Sequence, residues 1–140
     1  MTKEVSEELA NTLIATWAVG GVQPDVFAPD ATSWHNTDAV DHPQASRRGI
    51  SERIRSVVPD FRFTDAVLHA WDGGFCVQYI VRGTLPDGSE LASPTCMVGT
   101  VRDGRISRMQ EYVDSAQIQG LRQAVAAGVT KPGMTKPAAG

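Results

Sequence analysis

The feature that most constrains the fold is a change of hydrophobic period near Phe61. From there to Val113, apolar and polar side chains alternate in four long segments separated by short turns rich in Gly and Asp. A period of two predicts β-strands, and the turns predict antiparallel hairpins. The predicted strands are 61–71, 75–85, 91–101 and 105–113, with turns at 72–74, 86–88 and 102–104. Pro94 indicates a bulge or an open edge near the start of the third strand.

The chain before Phe61 has mostly helical spacing. Residues 4–18 predict an amphipathic helix, capped by Thr2 or Ser6 and ended by Gly20–Gly21. The apolar face of this helix carries Val5, Leu9, Leu13 and Trp17. The sequence then predicts a helical turn at 24–28, a strand at 31–34, a polar loop at 36–46 and an amphipathic helix that stops before Pro59.

The last strand leads into a closing helix and a tail. Asp114 precedes the helix, which is predicted to run to Val125, and an N-cap role explains this aspartate. Residues 129–140 contain Gly, Pro and Lys but no core residues, so the tail is predicted to be disordered. The result is one domain, residues 1–128, of the α+β class. We expect helices packed on one face of a curved, mixed but mainly antiparallel sheet that encloses a cone-shaped cavity.

Composition excludes several functions for a chain of 140 residues with a formal net charge of -3. The basic residues are scattered, which argues against a nucleic-acid-binding surface. No run of about 18 apolar residues exists, so we expect no membrane span. The N-terminal segment lacks the apolar centre of a secretory signal, which predicts a cytoplasmic protein. Cys76 and Cys96 are predicted to be buried free thiols rather than a disulfide or metal ligands.

Strand parity groups the side chains of each strand but does not say which face lines the cavity. On the fourth strand, Glu111 shares a face with Met109 and Val113. If this face points inward, Glu111 is a carboxylate in an apolar cavity, where burial would raise its pKa and suit it to acid or base work. If it points outward, Glu111 is an ordinary solvated residue.

The stretch "DATSWHNTD" places His35 at the end of a predicted strand, just before a turn. A histidine there is either a proton-transfer group at the mouth of a pocket or a strand-end residue bonded to a backbone carbonyl. Tyr79 is predicted to lie on the other face of the sheet, at a dimer interface. The three histidines are too dispersed to indicate a metal site.

Four segments, "FAPDATSW", "RIRSVVPDF", "LPDGSE" and "DGRISRMQEYVDSAQIQGL", together resemble the nuclear transport factor 2-like superfamily. The resemblance covers roughly residues 5–125 and is greatest to SnoaL-like polyketide cyclases, ketosteroid isomerases and limonene-epoxide hydrolases. It implies a cone-shaped α+β fold, a hydrophobic ligand in the cone, and a homodimer formed through the sheet. The same cone also serves proteins that are not enzymes.

Carried over by position, the resemblance implies a proton-transfer pair. His35 falls where ketosteroid isomerases have their general-base aspartate, and Glu111 falls where SnoaL-like cyclases and epoxide hydrolases have a catalytic aspartate. The donors that stabilise an oxyanion in the isomerases are replaced here by Met97 and Leu13. The arginine and second aspartate of the epoxide hydrolases are also missing, because Gln78 and Ile80 stand in their places.

These arguments predict a cofactor-independent enzyme that moves protons on a hydrophobic, oxygenated small molecule such as a polyketide or steroid-like ketone. Isomerisation, cyclisation and dehydration all fit, with His35 and Glu111 as the catalytic residues. Epoxide opening with the same pair and a non-catalytic ligand-binding module are the alternatives. The residues expected to bind substrate are Trp17, Trp34, Gln78, Ile80, Arg82, Met97, Met109 and Val113.

Overall fold

The computed structural model describes residues 2–18, 25–47 and 49–130. Within these residues there are three α-helices and six strands, with a short 3-10 helix, Gln44–Arg47, between β2 and α2. In chain order the elements are α1 Lys3–Ala18, β1 Phe27–His35, β2 Asp41–Pro43, α2 Ile50–Val57, β3 Arg62–Trp71, β4 Gly74–Thr84, β5 Glu90–Arg102, β6 Arg105–Val113 and α3 Ser115–Thr130.

The strands form one mixed sheet in the order β2-β1-β6-β5-β4-β3. The β1–β6 pair is parallel, and the other four pairs are antiparallel. Register shifts occur in β1–β6, β3–β4 and β5–β6, and such irregularities bend strands. The α+β class and the mixed, mainly antiparallel sheet predicted from the sequence are confirmed.

The hydrophobic core lies between the inner face of this sheet and the helices. On β4 the inward side chains are Phe75, Val77, Tyr79 and Val81, all nearly fully buried. Helices α1 and α3 contribute buried apolar residues to the same cluster: Ala10, Leu13, Ile118 and Leu121. The helices therefore cover one face of the sheet, and no described helix packs on the other face.

The structure resolves the two capping questions. The Thr2 hydroxyl oxygen accepts a hydrogen bond of 3.2 Å from the backbone N–H of Val5, so Thr2 caps α1, whereas Ser6 is fully buried. Oδ1 of Asp114 accepts hydrogen bonds from the backbone N–H groups of Ala116, at 3.0 Å, and Gln117, at 3.3 Å. The predicted N-cap role of Asp114 is confirmed.

Most predicted elements are confirmed, and three are corrected. The helical turn at 24–28 is wrong, because β1 already begins at Phe27. The polar loop at 36–46 contains β2 and most of the 3-10 helix. Helix α3 continues to Thr130, beyond its predicted end. The predicted stop at Gly20–Gly21 and the tail from residue 131 lie outside the described residues.

Pro94 lies where β5 has no neighbour on one side. The last β5–β6 pair is Thr95–Val113, so β5 is an open edge at Pro94, as the sequence predicted. On the outer face of the sheet, Cys76 and Cys96 are free thiols with their Sγ atoms 3.3 Å apart. They are half-buried rather than fully buried as expected. Among the described residues, no helix is long and apolar enough to cross a membrane.

Candidate active site

A cavity of about 540 Å³ lies between the inner face of the sheet and the helices. Much of its wall is apolar, with side chains from α1, β1, β3, β5 and α3 among others. The apolar lining includes Leu13, Phe27, Phe61, Phe63, Met97, Met109, Val113, Ile118 and Leu121. The volume lies within the range of small-molecule binding sites, about 300–1,000 Å³.

His35 and Glu111 face this cavity side by side. They are register partners in the parallel β1–β6 pair, so their side chains leave the sheet on the same face. Nε2 of His35 lies 2.6 Å from Oε1 of Glu111, and the two side chains are 23% and 19% exposed. The structure therefore brings together the two residues that the sequence singled out.

Asn36 fixes the end of β1 against β6. Its side-chain amide donates to the Val113 carbonyl at 2.9 Å and accepts from the Val113 N–H at 3.0 Å. Its own N–H donates to the Glu111 carbonyl at 3.2 Å. Asn36 directly follows His35, so these three hydrogen bonds hold the end of β1 against β6 where His35 pairs with Glu111.

Arg47 determines where the proton of His35 sits. Nη2 of Arg47 lies 3.0 Å from Nδ1 of His35. A guanidinium can only donate, so Nδ1 must be the accepting nitrogen, and in the neutral imidazole the proton then lies on Nε2. Nε2–H points at Glu111, so His35 donates to that carboxylate.

Tyr79 is the second donor to Glu111. Its hydroxyl donates to Oε2, the carboxylate oxygen that His35 does not contact. Tyr79 is only 2% exposed. Burial and the neighbouring Glu111 charge raise the pKa of the Tyr79 phenol well above its ordinary value, so it remains a donor.

The pKa of Glu111 results from opposing influences. Burial acts to raise it, but hydrogen bonds from His35 and Tyr79, together with the charge of Arg47, outweigh burial. The net result is a pKa below the ordinary value of 4.5. The expectation that burial would raise this pKa and supply a protonated acid is wrong, because the site provides donors on both carboxylate oxygens. Glu111 is an anion at neutral pH.

The predicted lining is correct for one group and wrong for another. Met97, Met109 and Val113 line the cavity. Four others lie on the opposite face of the sheet: Trp34, Gln78, Ile80 and Arg82. The reason is strand parity, since Trp34 precedes the inward-facing His35 and the other three alternate with the buried side chains of β4. The side chain of Trp17 lies outside the described residues.

Sequence reasoning missed Tyr79 and Arg47. Tyr79 was expected on the outer face, yet it shares its face with Phe75, Val77 and Val81. That unbroken apolar set, against a mixed set at alternate positions, was the available signal for an inward face. Arg47 ends the 3-10 helix in a polar segment, and the sequence pattern gives no sign that it reaches the cavity.

The described residues include no group of three or more His, Cys, Asp and Glu side chains arranged to hold a metal ion.

Comparison with known proteins identifies the family. The SnoaL-like domain matches residues 14–109. The chain belongs to the SnoaL-like domain family. The membership agrees with the predicted nuclear transport factor 2-like superfamily. No curated protein sequence is significantly similar to the chain.

Solved structures show the same SnoaL-like fold at low sequence identity. A proposed polyketide cyclase from Xanthomonas campestris pv. campestris is 18% identical with a TM-score of 0.67, over 87% of this chain and 98% of that one. A proposed SnoaL-like polyketide cyclase from Jannaschia sp. CCS1 is 15% identical with a TM-score of 0.64, over 89% and 94%. AclR from Streptomyces galilaeus, a proposed hydroxylase, is 13% identical with a TM-score of 0.68, over 86% and 98%.

Proposed function

We propose that the protein is an enzyme that moves protons on a hydrophobic, oxygenated small molecule, such as a polyketide or steroid-like ketone. The observation that carries the proposal is the hydrogen-bonded His35–Glu111 pair at the wall of an apolar cavity. A carboxylate behind a histidine orients the ring and stabilises the imidazolium that forms when the histidine accepts a proton. Two fold neighbours described as proposed polyketide cyclases agree with this substrate class.

In the proposed reaction His35 is the base and Nδ1 is the reacting atom. Nε2–H is already donated to Glu111, so only Nδ1 has a lone pair that can accept a proton. That lone pair must first lose its hydrogen bond to Arg47. Nε of Arg47 is buried and has no hydrogen-bond partner among the described residues, so a turn of this guanidinium toward a ligand oxygen can satisfy it.

The substrate carbonyl oxygen would take the Arg47 hydrogen bond and release Nδ1. A proton on the carbon beside the carbonyl then passes to Nδ1, the C–H electron pair forms a C=C bond, and the π pair of the C=O bond moves onto oxygen to give an enolate. Arg47 stabilises the enolate, and Glu111 stabilises the imidazolium. In a ketone with a neighbouring C=C bond, return of the Nδ1 proton to the far carbon gives isomerisation. Attack of the enolate carbon on a second carbonyl gives cyclisation, and the new alkoxide takes the Nδ1 proton. A β-hydroxyl that takes the Nδ1 proton and leaves as water gives dehydration.

Hydrogen–deuterium exchange tests the first step without knowledge of the product. We would incubate 1-tetralone and 2-tetralone, two bicyclic ketones, with the protein in D₂O and follow loss of the α-hydrogen signals by NMR. The wild type should accelerate exchange, and His35→Gln should slow it by roughly 100-fold or more, the usual contribution of a general base. His69→Gln is the matched control, because His69 is exposed on β3 away from the cavity lining.

Two outcomes would contradict the proposal. Equal exchange with the wild type and His35→Gln would remove His35 from the mechanism. No protein-dependent exchange with either ketone would reject proton abstraction and favour the non-catalytic ligand-binding module.

Epoxide opening in the same cavity has weaker support. Opening an epoxide by acid–base chemistry needs a donor for the leaving oxygen. Glu111 has a lowered pKa, and the Tyr79 proton is already donated to Glu111. Turnover of styrene oxide that is lost in His35→Gln, without exchange of either ketone, would reverse this preference.

We also propose a homodimer formed through the outer face of the sheet. That face exposes large apolar side chains, Val67, Trp71 and Tyr112, which are 42% to 48% exposed. Trp34 lies beside Tyr112, with ring centroids 5.2 Å apart. Sedimentation equilibrium should give a dimer for the wild type and a monomer for Tyr112→Lys. A monomeric wild type would contradict the proposal.

A further inference from the structure

We infer that the natural ligand of the cavity carries an anionic group, of the carboxylate class, which Arg55 and Arg122 bind. The reaction that this ligand undergoes rests on the proposed function, but the binding does not. The inference concerns a part of the cavity wall that the His35–Glu111 pair does not use, where α2 and α3 pack against each other.

The arginines among the described residues differ in their partners. Five of them form an ion pair with an aspartate: Arg62, Arg82, Arg102, Arg105 and Arg108. Arg47, Arg55 and Arg122 line the cavity, and no carboxylate oxygen of the described residues lies within 4.0 Å of their guanidinium nitrogens. Arg53 also lacks such a partner but is exposed and does not line the cavity, so three of the four described arginines without a carboxylate partner line the cavity.

Arg55 is held in place but keeps donors available. Its Nε donates to the Phe61 carbonyl at 3.3 Å, and its guanidinium carbon lies 5.7 Å from the centre of the Phe61 ring. No other hydrogen bond of this guanidinium is found within the described part of the chain. A fixed guanidinium with two free terminal nitrogens suits a carboxylate, which accepts two parallel hydrogen bonds.

Arg122 brings a second charge from α3. Its helix buries Ile118 and Leu121 in the core, and all three residues line the cavity. Arg122 itself is exposed, so it lies at the solvent side of the cavity rather than deep within it. A ligand with an apolar body inside and a carboxylate near the opening would meet Arg122 and Arg55 together.

The acidic residues of the cavity do not neutralise these arginines. Asp38 is 2.8 Å from Nε2 of His42 and accepts from the Val40 N–H at 3.1 Å. Glu111 is bound by His35 and Tyr79, as described above. Glu52 remains, exposed on α2, and it forms no ion pair with a described residue. A ligand carboxylate would therefore supply the missing partner.

The experiment compares two probes of nearly the same size and shape, one anionic and one neutral. We would measure the affinities of 2-naphthoate and 2-naphthamide by calorimetry at pH 8 and low salt. The wild type should bind the carboxylate at least tenfold more tightly, because hydrogen bonds to charged groups contribute that much or more. Arg122→Gln and Arg55→Gln should each remove roughly tenfold of the carboxylate affinity and leave the amide affinity unchanged.

Arg53→Gln is the matched control. Arg53 is on the same helix as Arg55, but it is exposed and does not line the cavity. Its loss changes the net charge equally and should leave both affinities at the wild-type value. An equal loss in all three variants would mean a general charge effect and would overturn the inference, as would equal affinity of the wild type for the two probes. Circular dichroism of each variant checks that it is folded. If Arg55→Gln does not fold, Arg122→Gln still tests the inference, because Arg122 is exposed.

His35→Gln separates this inference from the proposed function. If the anion site exists, His35→Gln keeps its preference for naphthoate whatever happens to deuterium exchange. Loss of exchange activity throughout, with the preference intact, would reject the enzyme but keep an anion-binding site. Exchange that depends on His35, with no preference for naphthoate, would keep the enzyme and reject the anion site.

Discussion

Nη2 of Arg47 lies 3.0 Å from Nδ1 of His35, and this contact determines which nitrogen of the imidazole is protonated. With Nδ1 accepting, Nε2 donates to Glu111 at 2.6 Å. Arg47, His35 and Glu111 therefore form a chain of hydrogen bonds that ends on the Glu111 carboxylate. Arg47 occupies the lone pair of Nδ1, so in the proposed reaction it would have to release that nitrogen before it could stabilise an enolate.

The tautomer of His35 can be observed directly. For the neutral imidazole of His35, we expect long-range ¹H–¹⁵N spectra to show the proton on Nε2. Arg47→Met should weaken that preference, because the donor to Nδ1 is gone. The exposed His69 provides an internal reference for a ring in solvent. A wild-type His35 with the proton on Nδ1 would contradict the assigned hydrogen bonds.

The lowered pKa of Glu111 predicts an acid-dependent loss of stability. A carboxylate whose pKa is lower in the folded than in the unfolded state adds stability above the unfolded value and loses it as the pH falls through the folded one. The free energy of unfolding of the wild type should therefore decrease as the pH falls below about 4.5. Glu111→Gln should show a flatter dependence in that window.

Chemical denaturation at a series of pH values measures this difference. Glu90→Gln, at the exposed start of β5, is the reference for losing one surface charge. If Glu111→Gln and the wild type lose stability in parallel below pH 4.5, Glu111 is not the group responsible.

Tyr79→Phe isolates the second hydrogen bond to Glu111. The variant keeps the ring in the core but leaves Oε2 without its donor, which should destabilise the fold by about 1–3 kcal/mol. The pKa of Glu111 should rise relative to the wild type, so the acid-dependent loss of stability should be smaller and should be complete at a higher pH. Tyr112→Phe, on the outer face, removes a hydroxyl of the same kind and should have little effect on either quantity. Equal effects of the two variants would contradict the assigned role.

The sequence predicted the fold well because its signals are local. The alternation after Phe61, the turn residues between the strands and the Asp114 cap each act over a few residues. The parallel pairing of β1 with β6 joins segments far apart in the chain. No local pattern indicates it, so the meeting of His35 and Glu111 followed from family resemblance rather than from residue spacing.

The candidate site was predicted in part for the same reason. Alternation places the side chains of Gln78 and Tyr79 on opposite faces of β4. Which of the two faces is the inner one depends on where the helices pack. The position of Arg47 depends on the path of an irregular segment, which period and propensity do not encode. The two residues that control the protonation of the pair were therefore the ones that sequence reasoning missed.

Close packing of β4 on β5 predicts that Gly99 cannot be enlarged. Gly99 is the register partner of Phe75, and a Cβ on Gly99 would lie 2.3 Å from the buried Phe75 ring. Overpacking of a filled core costs typically about 1–3 kcal/mol, so Gly99→Ala should lower the free energy of unfolding by that amount in urea denaturation. Phe75→Leu in the Gly99→Ala background should recover part of the loss, because the smaller side chain vacates the space.

Gly120→Ala is the control for this prediction. Its Cβ would meet only the terminal Cδ1 of Leu85, at 2.9 Å, and alanine favours the helix. Equal destabilisation by Gly99→Ala and Gly120→Ala would contradict the packing argument.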